Sequence, residues 1–413
     1  MSPAMKDETD TEQTSGNWSW WPSWRPTSMT LLKSAEAKIL AYIQNDVWSR
    51  FVTLPNQNRI WTLKVTNKSA RKHKDEGRVS NLLVQWLRKS FAHLNMPPSL
   101  SIGAQTPLVM IHGFGGGVGL WIRNLDALSR SRPVYAFDLL GFGRSSHPSF
   151  PSDASLAEEQ FVTSIEQWRQ SLGLERMILL GHSLGGYLAT SYTIQYPERV
   201  SHLILVDAWG FPERPQPQLE GSGDQGSEVK RLSPSRWGKA LTSVFSLFNP
   251  LAFFRAAGPW GPGLVNRFRP DFKRKFENLF DDDTMTQYIY HCNAQNPSGE
   301  VGFKAMFESM GWAKRPMVQR VHLLPPSMPV SILYGTLSWV DPSTGKTVVQ
   351  IRGKSPTSIT VRNECVCNAG HFLNSLVGNI TNDIESLAFL STADQRCFPS
   401  RLRRSARRVQ PSS

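Results

Sequence analysis

Met177-Ile178-Leu179-Leu180-Gly181-His182-Ser183-Leu184-Gly185-Gly186, running straight into Tyr187-Leu188-Ala189-Thr190-Ser191-Tyr192, decides the reading of this chain. A short apolar run ends in Gly-x-Ser-x-Gly and is followed at once by helix-like text. That order of strand, sharp turn and helix is a nucleophile elbow, which lifts a serine hydroxyl to the end of a sheet. Gly181 and Gly185 suit the positions flanking the serine, because the turn is strained and its neighbours must tolerate close backbone approach. A serine hydroxyl is a weak nucleophile at neutral pH, so the elbow has meaning only if the chain also supplies a base, an orienting acid and donors for an oxyanion.

Outward from the elbow, short apolar runs alternate with longer helical patterns, the signature of βαβ units around a mainly parallel sheet. Strands are expected at 108–111, 134–137, 177–180, 203–206 and 330–334. Between the second and third of these lies a helix with Phe161, Ile165, Trp168 and Leu172 on one face and Gly173 as its stop. More than a hundred residues separate the strand at 203–206 from that at 330–334, far beyond an ordinary αβ connection, so this excursion reads as a lid. It carries Trp209, Trp237, Phe253, Phe254, Trp260, Phe268 and Arg269, suited to an apolar tunnel with a basic mouth. Upstream, 28–48 reads as helix, with Leu32, Ala35, Ile39 and Ile43 at turn-like spacings. The expected organisation is one catalytic domain with appendages: 1–27 polar and Trp-rich, 28–65 an N-terminal helix and first strands, and 66–104 a basic insertion with a short helix at 82–87. The first half of the core follows at 105–207, the lid at 208–325, the second half of the core at 326–361 and an atypical basic tail at 362–413.

The remaining chemical parts each have a candidate. Ile111-His112-Gly113-Phe114-Gly115-Gly116-Gly117 follows the first parallel strand, and its exposed backbone N–H groups suit an oxyanion. The backbone amides of Phe114 and Leu184 are the candidates for the hole, with His112, Gly113, Gly181 and Gly185 in support. A phosphate-binding turn is disfavoured, because the Walker lysine and the G-x-G-x-x-G helix context are absent. In this arrangement the chain order is serine, acid, histidine. Asp341, shortly after the strand at 330–334, is the candidate acid and Asp207 the alternative. Asp138 precedes the elbow and is read as fixing a turn with Gly141 and Gly143. His371 in Asn368-Ala369-Gly370-His371 is the candidate base, being the only histidine after Asp341.

Composition bounds the rest. The 413 residues carry 46 Lys and Arg against 33 Asp and Glu, a net charge of +13. Much of the excess is local, in Arg401, Arg403, Arg404, Arg407 and Arg408 and in Lys68, Arg71, Lys72, Lys74 and Arg78, and like-charge blocks of this kind favour solvated segments. A nucleic-acid partner would rest on net charge alone and is not expected. Cys292, Cys365, Cys367 and Cys397 form neither a disulfide ladder nor C-x-x-C pairs, which points to a reducing compartment. The first sixteen residues are polar and acidic, unlike a secretory signal, and no apolar run approaches the roughly 18 residues of a membrane span. Trp18, Trp20, Trp21 and Trp24 are too dense and too Pro-interrupted for an amphipathic helix. Indole rings settle at the level of lipid head groups, so these four are candidates for a peripheral membrane anchor.

Longer motifs carry a resemblance: PLVMIHGFGGGVGLW from Pro107, AFDLLGFGRSS from Ala136, MILLGHSLGG from Met177, HLILVDAWGFPERP from His202, RFRPDFKRKF from Arg267 and YIYHCNAQNPSGE from Tyr288. Over roughly 18–61 and 106–361 the chain resembles the α/β-hydrolase-domain family that contains the N-acylphospholipid lysophospholipase and its sister, the lipid-droplet lipase coactivator. The resemblance implies an α/β-hydrolase fold, a mostly parallel sheet flanked by helices with an inserted helical lid, and a catalytic set of Ser183, Asp341 and His371. It implies hydrolysis of phospholipid or lysophospholipid acyl esters, N-acylated ethanolamine phospholipids included, without metal or organic cofactor. It also implies a cytoplasmic site of action, peripheral to endoplasmic reticulum membrane or lipid droplets, and a possible lipase partner. The coactivator sister carries Asn at the elbow, so Ser183 places this chain on the catalytic side, against the alternative of a non-catalytic lipid-droplet scaffold; a lysophosphatidic acid acyltransferase is the third reading. The chain departs from the family at 66–104 and from about Arg362 onward. There, Phe372-Leu373-Asn374-Ser375-Leu376 follows His371 without the family's acyltransferase-like H-x-x-x-x-D.

Overall fold

Eight runs of extended chain form one sheet: β1 (Asp46–Thr53), β2 (Arg59–Thr66), β3 (Leu108–Ile111), β4 (Val134–Phe137), β5 (Met177–His182), β6 (Val200–Val206), β7 (Val330–Gly335) and β8 (Thr360–Glu364). The computed structural model describes residues 27–68, 105–215, 251–268, 276–308, 311–335, 340, 342–353 and 360–364. Among them the strand order is β1-β2-β4-β3-β5-β6-β7-β8. β2 runs antiparallel to both neighbours, and every pairing from β4 through β8 is parallel. Parallel strands need crossovers over the faces, so β3 and β4 are buried at every residue. Their side chains divide with period two: Val109, Ile111, Tyr135 and Phe137 enter one core, and Leu108, Met110, Val134 and Ala136 the other. The five strands expected from the sequence are present, with β5, β6 and β7 longer than expected.

The helices are α1 (Met29–Leu40), α2 (Ile122–Leu128), α3 (Ala154–Ser171), α4 (Leu184–Gln195), α5 (Ala252–Ala257), α6 (Gly261–Phe268), α7 (Thr284–Asn293), α8 (Gly299–Met306) and α9 (Ser343–Arg352). In α3, Asp153 caps the start by accepting from Ser155 N and Leu156 N at 2.9 Å. Its end is a Schellman closure: Gly173, at φ 64°, donates to Gln170 O and Leu174 donates to Arg169 O. Phe161, Ile165 and Trp168 are fully buried on its sheet-facing side, each stabilising the fold by roughly 1.5–3 kcal/mol relative to exposure. Trp168 also donates to Thr62 Oγ1 at 2.9 Å, so its one polar atom is satisfied inside the core.

One expectation is corrected here. The helix begun at Met29 stops at Leu40, not at Trp48, and Trp48 lies in β1. The stop is tertiary: the Asp126 carboxylate accepts from the backbone N–H of Gln44 and Asn45 at 3.0–3.1 Å, and Asn45 Nδ2 donates to Ser129 Oγ at 2.8 Å. Helix α1 also packs on the excursion between β6 and β7. Leu32, Ala35 and Ile39 share a core with Phe280, Met285, Tyr288 and Ile289 from the excursion between β6 and β7. The expected helix at 82–87, together with Trp237 and Arg269, lies outside the described residues.

Where α1 meets the sheet, the buried Glu36 accepts from Trp61 Nε1 at 2.9 Å and from Arg144 Nη1 at 2.7 Å. The guanidinium of Arg144 lies 3.5 Å from the Trp61 ring centroid. Asp138, also buried, accepts from Val118 N and Arg144 N at 2.8 Å. Burial, reinforced by the Asp138 charge and opposed by Arg144, pushes Glu36 up to about 7. Burial likewise pushes Asp138 up to about 6 against its N–H donors. Both carboxyls hold a proton more tightly folded than unfolded, so stability contributed below the unfolded values is lost as pH rises toward 7. The expected result is a melting temperature that falls between pH 5 and pH 8, with a shallower slope in Glu36→Gln, whose amide has no such proton to lose. An unchanged slope in that variant would remove Glu36 from the account.

Candidate active site

Ser183 sits between β5 and α4 with φ 52° and ψ −118°, a left-handed backbone that costs a non-glycine residue on the order of 1–3 kcal/mol. Hydrogen bonds on both sides hold it there: Ser183 N donates to Val206 O at 3.0 Å, and Ser183 O accepts from Gly186 N and Trp209 N at 2.9 and 3.1 Å. Backbone approaches both flanking glycines closely. A Cβ on Gly181 would lie 2.2 Å from Gly185 O, and one on Gly185 would lie 2.4 Å from Ile111 O. Both contacts are with backbone, which has no rotamer to move.

The glycine-rich loop after β3 lies directly against this turn, since a Cβ on Gly113 would be 2.9 Å from Ser183 Cβ. Gly116 N donates to Gly113 O at 3.0 Å and Gly115 has φ 68°, the left-handed third position that a type II turn requires. Leu139 N donates to His112 Nε2 at 2.9 Å, which leaves the Nδ1 proton to donate to Gly113 O at 2.8 Å. Burial lowers His112 to about 4, although the Gly113 carbonyl pulls the other way, so the ring is neutral at physiological pH. Gly113 O is thus held by two donors. The peptide is planar and trans, so the Phe114 N–H of the same unit points away from them. Among the described residues neither Phe114 N nor Leu184 N donates a hydrogen bond. Phe114 is part-buried and Leu184 fully buried.

The acids divide by position. Asp138 pins the turn that follows β4, and a Cβ on Gly143 would sit 2.3 Å from its Oδ2, so the turn reading agrees with the contacts. Asp207, at the end of β6 with φ 43°, accepts from Gly335 N at 3.0 Å and ties the carboxyl end of β6 to that of β7. Asp341, His371, Trp18, Trp20, Trp21 and Trp24 lie outside the described residues. β5, β7 and β8 are parallel, so the chain following each strand leaves at one edge of the sheet, where the elbow is. Among the described residues no group of three His, Cys, Asp or Glu side chains is placed to hold a metal ion.

Residues 106–373 match the family described as alpha/beta hydrolase fold. The chain belongs to this family. It is 55% identical over 322 residues to the (lyso)-N-acylphosphatidylethanolamine lipase of Bos taurus, covering 78% of this chain and 82% of that protein. To the lipase of the same name from Homo sapiens it is 52% identical over 348 residues, covering 84% and 89%. To the 1-acylglycerol-3-phosphate O-acyltransferase of Mus musculus it is 47% identical over 374 residues, covering 90% and 93%. Among solved structures, a bacterial membrane phospholipase A covers 90% of this chain and 94% of its own with a TM-score of 0.52 at 18% identity, a likeness of fold alone.

In this hydrolase the wall beside the elbow is aromatic. Phe114 packs on Phe303 of α8 at 4.5 Å between ring centroids, Phe303 on Trp209 at 4.7 Å, and Trp209 on Tyr187 at 5.2 Å. Trp209, three residues after the end of β6, donates its backbone N–H to Ser183 O. Behind the elbow helix, Glu158 receives Tyr187 Oη at 2.8 Å, Arg320 Nη2 at 2.6 Å and the Ser191 hydroxyl. Burial pushes the Glu158 carboxyl up, but the hydrogen bonds from Arg320, Ser191 and Tyr187 outweigh it and hold it below the ordinary range. Sequence reasoning passed over Tyr288 and Asn293, which touch the glycine-rich loop from α7. They stood inside a quoted motif, YIYHCNAQNPSGE, with no periodic or chemical sign of what they meet.

Proposed function

We propose that this chain is a serine hydrolase of phospholipid and lysophospholipid acyl esters, N-acylated ethanolamine phospholipids among them. The observation that carries the reading is the strained elbow serine beside two backbone N–H groups, those of Phe114 and Leu184, without acceptors among the described residues. His371, oriented by Asp341, takes the Ser183 hydroxyl proton as the oxygen attacks the ester carbonyl. The carbonyl oxygen becomes an oxyanion held by the Phe114 and Leu184 amides. Collapse breaks the acyl–oxygen bond, and the leaving alcohol takes the proton from His371. Water then attacks the acyl-enzyme by the same route and releases the fatty acid. The aromatic wall of Phe114, Phe303 and Trp209 suits an acyl chain. The substrate class comes from the relatives named as (lyso)-N-acylphosphatidylethanolamine lipases. Acyl transfer to a lysophosphatidic acid hydroxyl in place of water is the second reading, favoured by the 47% identical relative named for it. The test is reaction with a fluorophosphonate probe, which Ser183→Ala should abolish, followed by product analysis with lysophospholipid alone and with lysophosphatidic acid added.

Peripheral attachment to an endoplasmic reticulum or lipid-droplet surface on the cytoplasmic side belongs to the same proposal. Among the described residues no helix is long and apolar enough to cross a membrane. Trp18, Trp20, Trp21 and Trp24 precede Thr27, whose hydroxyl lies 3.4 Å from His291 Nδ1 on α7. Trp260, two residues beyond the Gly258 carbonyl that accepts from Tyr290 Oη, is 71% exposed. Four indoles at a lipid surface contribute several kcal/mol, roughly what reversible binding needs. Replacing the four with Ala should remove liposome binding and leave hydrolysis of a small soluble ester unchanged. Retained liposome binding would end the anchor proposal, and a lowered melting temperature would assign the indoles to packing.

A further inference from the structure

Four glycines lie between His112 and Val118, and glycine-rich chain has little stiffness of its own. Its orientation therefore has to be imposed by neighbours. The first half is held by His112, as described. The second half, Gly115 to Gly119, is held from the excursion between β6 and β7. Asn293 Nδ2 donates to Gly115 O at 2.8 Å and to Ile289 O at 2.8 Å, so one amide ties the loop to the backbone of its own helix. Gly119 N donates to Tyr288 Oη at 2.8 Å. Asn293 is 5% exposed and Tyr288 is fully buried, so water does not compete well for either contact. The glycines answer to these side chains. A Cβ on Gly115 would lie 2.9 Å from Asn293 Oδ1, and one on Gly117 would lie 2.4 Å from Tyr288 Oη. A Cβ on Gly119 would lie 2.8 Å from the Tyr288 ring. Half of the glycine signature is thus a seat for α7.

We propose that Asn293, supported by Tyr288, is a positioning residue for the oxyanion hole, so that seating α7 on the loop sets the direction of the Phe114 N–H. The Gly115–Gly116 peptide is gripped at both ends, through Asn293 on its carbonyl and Gly113 on its N–H. Fixing that unit fixes the turn in which Phe114 stands. The excursion consequently does more than cover the substrate: an α7 lifted from the loop leaves the hole unaligned. This inference rests on the reading of Phe114 and Leu184 as oxyanion donors.

The test compares hydrolysis of p-nitrophenyl butyrate with that of its thiono counterpart. In the thiono ester the developing charge falls on sulfur, a poor hydrogen-bond acceptor, so the ratio of the two rates reads the aim of the hole and not the soundness of the fold. The wild type should favour the oxo ester. Asn293→Leu should lower kcat on the oxo ester by roughly 10- to 100-fold with KM little changed, the size of a loss from a misplaced donor. The thiono rate should hardly move. Asn293→Asp keeps the shape and removes the donor, so it carries the same comparison if the leucine variant does not fold. Tyr288→Phe should shift the ratio the same way by less. Equal loss on both esters, or no loss, in the Asn293 variants overturns the clamp while the wild-type preference stands. A wild type with no oxo preference overturns the oxyanion-donor reading itself, and the clamp with it.

Discussion

Ser183→Ala should lower turnover of a p-nitrophenyl ester by on the order of 10³-fold or more, because it removes the atom proposed to form the acyl-enzyme while leaving the proposed oxyanion donors and the aromatic wall in place. The fold should survive. Ser183 is held through its backbone, by Val206 O, Gly186 N and Trp209 N, and Ala keeps every one of those bonds. Its side chain makes no cap to α4. Ser183→Gly separates chemistry from strain. Glycine adopts φ 52° and ψ −118° without the Cβ penalty, so this equally inactive variant should be the more stable of the two by about 1 kcal/mol or more. Activity and melting temperature are the two readings. Wild-type turnover in Ser183→Ala would falsify the assignment, and a glycine variant less stable than the alanine one would contradict the strained elbow.

The second large effect concerns the proposed base and its proposed orienting acid. His371→Ala and Asp341→Asn should each reduce kcat by roughly 10³- to 10⁴-fold, the first by removing the proton acceptor and the second by disturbing its tautomer and orientation. Topology supports the pair. β7 ends at Gly335 and β8 at Glu364, both on the edge where β5 delivers Ser183. Asp341 and His371 follow those ends by six and seven residues (341 − 335 and 371 − 364), within reach of that edge at about 3.3–3.6 Å per extended residue. Asp207→Asn is the control, since an amide oxygen can still accept from Gly335 N and keep the tie between β6 and β7. Near-normal activity in this variant is expected. Loss in Asp207→Asn with full activity in Asp341→Asn would move the acid to Asp207, and activity unaffected by His371→Ala would remove His371 as the base.

By itself the sequence determined the parallel strands of the core and the backbone demands of individual turns. The unbroken apolar run of Leu108, Val109, Met110 and Ile111 specifies a strand buried on both faces, and Gly173 after an amphipathic run specifies where α3 ends. Gly181, Ser183 and Gly185 specify the elbow, because strain and clearance at a turn depend on residues only a few positions apart. The end of α1 was not legible, since its stop depends on Asp126, more than eighty residues downstream of Gln44. Tertiary structure alone decided that Glu36 would meet Arg144 across 108 positions, and that α1 would share its core with α7. It likewise decided that Asn293 would hold Gly115 across 178 positions and that Tyr288 would receive the N–H of Gly119 across 169. Periodicity records which face of an element is apolar and a turn records its own backbone demands. Neither records the partner that a single polar side chain meets when distant elements pack, because that depends on the geometry of the whole sheet and everything laid on it.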